Sequence, residues 1–171
     1  MGHRDKLITS ADMPALGGVY KLSAVIENGV ATPKIKISNN PAKITNPGFK
    51  TVYRIYSENG KAQADIIALK DEVFDTDKPL TATHPLERWK KTTYTKYTLR
   101  NLQEDIVLGG KVVYHFPNVH EIKAYAKREM DSFWSEYKRL NMPHIYKVDL
   151  SDELYELKTG LLQSIKGENL R

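Results

Sequence analysis

Residues 51–69 read TVYRIYSENGKAQADIIAL, and this stretch decides the fold. Thr51 to Tyr56 is rich in β-branched and aromatic side chains, which suit a pleated, half-buried surface. Asn59-Gly60 follows, the pair that most readily accepts the two positive-φ positions of a tight hairpin turn. Ala62 to Leu69 is the return arm, and its end, Ile66-Ile67-Ala68-Leu69, is apolar on both faces. Such a strand is expected to be covered from both sides.

The same grammar extends in both directions. Val19 to Ile26 and Ala31 to Ile37 flank Asn28-Gly29, with Tyr20, Leu22, Ala24 and Ile26 on one face. Ile106 to Leu108 and Lys111 to Phe116 flank Gly109-Gly110. Trp89 to Leu99, with alternating Thr and Tyr, reads as one further strand. Asn39 to Gly48 is turn-rich and holds Pro41 and Pro47, which argues against a long strand. Residues 71–88 are acidic and proline-punctuated, and read as a surface connection.

After Phe116 the period changes. Val119, Ile122, Ala126, Met130, Phe133, Tyr137 and Leu140 recur every three or four residues, which predicts a helix over 118–140 of about six turns. Asn118 and Glu121 form a capping-box pair at its start. A second helix is expected over 151–166, presenting Leu154, Leu157, Leu161 and Ile165, with Leu150 stapling its start. The fold class is therefore α+β: antiparallel β-hairpins followed by two amphipathic helices, without the alternating βα units of a complete α/β enzyme.

Composition narrows the chemistry. The chain has 171 residues, 40% hydrophobic and 27% charged, enough for a packed core. It has no cysteine, which excludes disulfides, thiolate metal sites and a cysteine nucleophile. No apolar run approaches the ~20 residues of a membrane span, and Met1 to Lys6 lacks the apolar stretch of a signal peptide. A soluble, cytoplasmic protein with no membrane partner is the expectation. The net charge is +5, and the excess lies entirely in the first 100 residues. Between Glu27 and Glu58 there is no acid, yet Lys34, Lys36, Lys43, Lys50 and Arg54 occur. A local positive field of this kind attracts phosphates, although most such runs are simply solvated faces.

Site motifs are sparse. His3, His84, His115, His120 and His144 make no metal-ligand spacing, and no metal site is expected. There is no Walker A, G-x-S-x-G or G-x-G-x-x-G pattern. Asp152 and Glu153 suit the positive end of a helix better than acid–base work. Two segments stand out. Gly17-Gly18 before a strand permits close backbone approach to a ligand. Lys43-Ile44-Thr45-Asn46-Pro47-Gly48-Phe49-Lys50 places two lysines around a hydroxyl and a Pro-Gly turn, where amides and ammonium groups can hold an anion.

These segments, in this order, carry a resemblance. Leu7-Ile8-Thr9-Ser10, Ala15 to Leu22, Pro33 to Ser38, Lys43 to Lys50, Val52 to Tyr56 with Ala64-Asp65, and Ala124 to Lys127 resemble the C-terminal part of bacterial nicotinate phosphoribosyltransferases. The resemblance implies type II phosphoribosyltransferase architecture. Residues 1–37 would be the end of the catalytic α/β-barrel region and residues 38–171 a C-terminal α+β domain, with the basic loop and hairpins in 38–116. It implies formation of nicotinate mononucleotide from nicotinate and 5-phosphoribosyl 1-diphosphate, coupled to ATP hydrolysis and supported by Mg2+, in NAD salvage.

The family's phosphohistidine and nicotinate-binding arginine lie ahead of the matching region. This chain alone is thus expected to be inactive, to contain no catalytic residue and to bind neither ATP nor Mg2+. Its partners would be the missing catalytic part or a second subunit, since a family dimer is implied. The family's glycine loop matches Gly2 and Asp5, with Arg4 where its second glycine stands. Gly2, Asp5, Gly17, Gly18, Lys43 and Lys50 are the candidate phosphate and phosphoribosyl contacts. The alternative is a non-catalytic remnant or partner module that binds a complementary chain or phosphorylated ligands. Nucleic-acid binding ranks last, because basic loops without interleaved aromatic platforms or a recognition helix support it weakly.

Overall fold

A computed structural model describes residues 18–168. The Asn-Gly signals set its hairpins. Asn28 and Gly29 adopt φ of 52° and 80°, and join β1 (Ala24–Glu27) to β2 (Val30–Pro33). Gly60, at φ 72°, closes the turn between β3 (Lys50–Ser57) and β4 (Ala62–Leu69). Gly109 and Gly110 do the same between β8 (Val107–Leu108) and β9 (Lys111–Val112).

The central sheet has six strands, in the order β6-β5-β10-β4-β3-β7. Three of its features depart from the sequence reading. First, the segment read as a surface connection contains β5 (Leu80–Thr83), a short run whose Leu80, Ala82 and Thr83 are buried. Second, the single strand expected over Trp89 to Leu99 is two strands, β6 (Lys91–Tyr94) and β7 (Tyr97–Asn101), at opposite edges of the sheet. Third, β10 (Lys147–Ser151) pairs parallel with β4 and antiparallel with β5. The sheet is therefore mixed rather than wholly antiparallel, and Leu150 is a fully buried strand residue.

Only Thr95 and Lys96 separate β6 from β7, so Tyr94 and Tyr97 lie at most roughly 11 Å apart along the chain. The two edges of the sheet must converge there, and the sheet rolls around its core. Ile55, Ala64, Ile66, Leu80, Ala82, Tyr94 and Tyr97 fill the inside. Alanines on β4 and β5 match a tightly curved inner surface, where larger side chains would crowd.

The two expected helices are present. α1 (Val119–Ser132) begins with the full capping box, the Asn118 side chain accepting from the His120 and Glu121 amides while Glu121 accepts from the Asn118 amide. It ends well before 140. Phe133 turns to extended backbone, and its ring packs edge-on against Tyr137 and Tyr146 instead of continuing the stripe. No residue of α1 is fully buried; Val119, Ile122 and Met130 are exposed, and Leu140 is wholly so. α2 (Asp152–Glu168) matches the expectation better: Leu154 is fully buried, with Leu157, Leu161 and Ile165 half-buried. The Ser151 hydroxyl accepts from the Leu154 amide at its start.

Candidate functional site

The basic loop is built around a turn that only glycine fits. Gly48 has φ +83°, and a Cβ there would come within 2.8 Å of Leu69 Cδ2. Pro47 and Gly48 are buried, and the Gly48 amide donates to Ser23 O at 2.7 Å. Upstream, a single 3-10 turn (Pro41–Lys43) is capped by Asn40, whose side chain accepts from the Ala42 amide. Lys36 and Thr45 bridge the two sides of the loop: the Lys36 amide donates to Thr45 Oγ1 and the Thr45 amide to Lys36 O. The loop thus satisfies many of its own amides before any ligand arrives.

Its two bracketing lysines behave differently. Lys43 is exposed at the end of the 3-10 turn. Lys50 folds back, its ammonium donating to Gly48 O at 2.6 Å and Pro47 O at 3.4 Å, and burial pushes its pKa down. A third lysine joins from α2. Lys158 is buried, and its Nζ donates to Asn46 Oδ1 at 2.9 Å. Nothing local in the sequence marked Lys158, because its partner lies 112 residues away. Of the glycines, Gly18 is exposed, and a Cβ there would meet nothing within 4 Å among the described residues. Gly2, Asp5 and Gly17, with Leu7, Ile8 and Leu16, lie outside the described residues.

The densest polar cluster is one the sequence reading missed. Arg54 grips Asp65 in a bidentate pair, Nε to Oδ1 at 2.8 Å and Nη2 to Oδ2 at 3.1 Å. Its Nη1 reaches Glu129 Oε2 at 3.2 Å, and Arg100 holds both oxygens of the same carboxylate. The Tyr146 hydroxyl donates to Asp65 Oδ1 at 3.0 Å, and the Arg54 guanidinium stands 4.8 Å from the centre of the Phe133 ring. Hydrogen bonding to Asp65 raises the Arg54 pKa, and hydrogen bonding to Arg100 lowers that of Glu129. Burial, then Asp65, pushes the Tyr146 hydroxyl far above its ordinary range. A signal was available: Arg54 and Asp65 lie equally far from the Asn59-Gly60 turn, so a hairpin brings them opposite each other. The cluster fastens the end of α1 to the sheet, since its charges are matched within it.

No group of three or more His, Asp or Glu side chains among the described residues could hold a metal ion. His84 Nδ1 accepts from the Glu87 amide, which assigns it to a local turn. No described helix is long and apolar enough to cross a membrane.

Two apolar surfaces are open among the described residues. One is the β1–β2 hairpin region, where Tyr20 is 99% exposed and Leu22, Ile26 and Val30 are largely so. The other joins β8–β9 to α1, where Val107, Val112, Ile122 and Tyr125 are exposed. Surfaces of this kind occur where a protein meets another protein, a membrane or a ligand.

Comparison with known proteins agrees with this architecture. A sequence family described as the nicotinate phosphoribosyltransferase C-terminal domain matches residues 49–158. The chain is 40% identical over 162 residues to nicotinate phosphoribosyltransferase of Bacillus subtilis (strain 168), covering 94% of this chain and 33% of that protein. It is 35% identical over 161 residues to the Caenorhabditis elegans nicotinate phosphoribosyltransferase, covering 92% of this chain and 28% of that one. The crystal structure of human nicotinic acid phosphoribosyltransferase superposes with a TM-score of 0.63 at 24% identity, over 69% of this chain and 24% of that one. The chain spans a third or less of the length of these relatives. The mixed, rolled sheet with its two helices is therefore a C-terminal domain, and the chain belongs to the nicotinate phosphoribosyltransferase family.

Proposed function

We propose that this chain serves as the C-terminal portion of an enzyme that makes nicotinate mononucleotide and diphosphate from nicotinate and 5-phosphoribosyl 1-diphosphate, with ATP hydrolysis. The observation that carries this reading is the 40% identity running across 94% of the chain to a protein of that name. The chemistry of the whole reaction belongs to the longer protein, and the activity would be cytoplasmic. Mg2+ and ATP would be handled by the longer protein. Residues 1–37 would close that region and 38–171 would form the appended domain. Dimerisation of the longer enzyme is part of the same reading.

Within that enzyme the basic loop has a divided role. Lys50 holds the loop's shape through its carbonyl contacts, while the exposed Lys43, with Lys34 and Lys36 nearby in sequence, supplies positive charge for the phosphoribosyl donor. A diphosphate leaving group gains from cations placed where charge develops. Two further pairs of residues nearer the N-terminus, Gly2 with Asp5 and Gly17 with Gly18, would complete the phosphate side.

The test has two parts. The 171-residue chain alone is expected to give no nicotinate mononucleotide, and the same chain joined to the preceding two thirds of the Bacillus subtilis relative is expected to give it. Lys43→Ala in the joined enzyme should raise the KM for 5-phosphoribosyl 1-diphosphate severalfold with little change in thermal stability. Turnover by the isolated chain, or an inactive joined enzyme that is folded, would overturn the reading.

A further inference from the structure

Asp149 places a carboxylate inside the rolled sheet. It is only 4% exposed, and no described residue hydrogen-bonds its side chain. The ladder register fixes where it points. Asp149 pairs with Ile66 of β4, and Ser151, two residues on, pairs with Ala82 of β5. Ile66 and Ala82 belong to the core, so Asp149 shares the inner face of the sheet with them. Ala82 also pairs with Thr92 of β6, which puts Thr92 on that face, together with His84 two residues beyond Ala82. These groups meet at one mouth of the roll, where Asp149, His84, Thr92, Lys147 and Trp89 line a cavity of about 280 Å3.

Each group there has a defined hydrogen-bonding sense. An ionised carboxylate only accepts, so an atom that meets Asp149 must donate. An ammonium only donates; Lys147 uses one hydrogen on Thr92 Oγ1 at 3.1 Å and keeps two others. His84 Nδ1 accepts from the Leu86 and Glu87 amides, which leaves Nε2 as the N–H of the ring. Trp89, 76% exposed, brings an indole face to the rim. An acceptor and two donors beside an aromatic face suit a flat ring whose edge carries an amino group next to an acceptor. Asp149 opposes a simple anion and Lys147 a simple cation. The cavity is slightly smaller than the pockets of about 300–1,000 Å3 that enclose drug-sized ligands, which suits one base with its sugar outside. The remaining rim lysines, Lys90 and Lys91, are paired with Glu87 and Asp152, so a nucleic-acid backbone would find little free charge.

We propose that this mouth of the sheet, between β5, β6 and β10, binds the amino-bearing base of a free nucleoside or nucleotide, of the adenine or cytosine kind. Asp149 accepts from the amino group, Lys147 and His84 donate to the acceptors of the ring edge, and Trp89 stacks on the ring. The site uses none of the residues invoked for the function proposed above and does not depend on it.

The experiment uses the 171-residue chain with adenosine, cytidine, N6,N6-dimethyladenosine and a short adenosine-only RNA as probes, read by calorimetry. Trp134→Phe leaves Trp89 as the one tryptophan, so its emission reports where the probe sits. Adenosine or cytidine is expected to bind saturably and quench Trp89. Dimethyladenosine, which keeps the ring and lacks the amino hydrogens, should bind at least fivefold more weakly than adenosine. Asp149→Ala should weaken binding at least fivefold. Trp89→Ala, at an exposed position that leaves the carboxylate in place, should do the same and guards against misfolding of the first variant. The RNA should bind no more tightly than adenosine. No saturable binding of either nucleoside, a smaller loss with dimethyladenosine or in either folded variant, or tighter binding of the RNA would overturn the proposal.

Discussion

Arg54 on β3 and Glu129 near the end of α1 are joined by a 3.2 Å hydrogen bond across 75 residues of chain. The bond is one arm of a guanidinium whose other arms hold Asp65, so one side chain ties together two strands and a helix. Both carboxylates are largely shielded, with side-chain exposures of 13% and 18%. Arg54→Met would leave Asp65 shielded and unpaired by arginine. Loss of a partner from a buried pair costs on the order of 3 kcal/mol. Urea unfolding should show that loss, and amide exchange should show faster opening at the C-terminal end of α1 than at its capped start. An unchanged midpoint would show that the cluster is solvated and contributes nothing.

Phe133 measures how far the end of α1 is packed. Its ring meets Tyr146 at 5.0 Å and Tyr137 at 6.4 Å, but the residue is only half-buried. Phe133→Ala should therefore cost about 1–2 kcal/mol, below the value for a fully enclosed phenylalanine. A loss above about 4 kcal/mol would mean that the aromatic cluster is a closed core.

Gly48 and Gly29 share a backbone conformation and differ in surroundings. Both have φ near 80°, but a Cβ at Gly29 meets open space, whereas at Gly48 it meets Leu69 Cδ2 at 2.8 Å and Leu157 Cδ2 at 3.4 Å. Gly29→Ala should cost about 1 kcal/mol of backbone strain. Gly48→Ala should cost that and roughly 1–3 kcal/mol more from overpacking. Equal melting temperatures for the two variants would contradict the close approach of loop, β4 and α2.

Lys158 gives a pH signature. Its folded pKa lies below the unfolded value of 10.5, because burial disfavours the charged form. The unfolded chain then binds more protons, and stability from this group rises with pH between the folded pKa and 10.5. At neutral pH the group destabilises, so Lys158→Met should add about 1–3 kcal/mol there. The advantage should shrink as pH rises toward 10.5. Comparing the two proteins at each pH cancels the tyrosines, among them Tyr94, which burial pushes up to about 12. A constant difference from pH 7 to 10.5 would show that Lys158 titrates normally.

Elements encoded by neighbouring residues were legible in the sequence. Asn28-Gly29, Asn59-Gly60 and Gly109-Gly110 carry their turns in their own backbone preferences, and Asn118 with Glu121 carries the helix start. Elements that exist because of distant partners were not. Leu80–Thr83 and Lys147–Ser151 are short and weakly patterned, and become strands through pairing with each other and with β4. The break at Thr95-Lys96 has no glycine or proline to announce it, since closure of the sheet produces it. The stripe through Phe133 and Tyr137 kept helical spacing while its rings turned to a cluster around Arg54 and Tyr146. At the candidate site the sequence named the loop and its bracketing lysines, but Lys158 and the opposed uses of Lys43 and Lys50 appear only in three dimensions.

The position of β10 also governs when this domain can form during synthesis. The strand that sits between β4 and β5 comes last in chain order among the sheet's six described strands, and it pairs Lys147 with Ala64. Without it, β5–β6 and β3–β4–β7 share no ladder and each has an open edge where β10 would sit. Contacts this distant in sequence form slowly, and open edges invite pairing with other chains. A nascent chain halted before Lys147 should therefore be protease-sensitive and bound by chaperones, and should acquire resistance only when the final strand and the helix behind it are released.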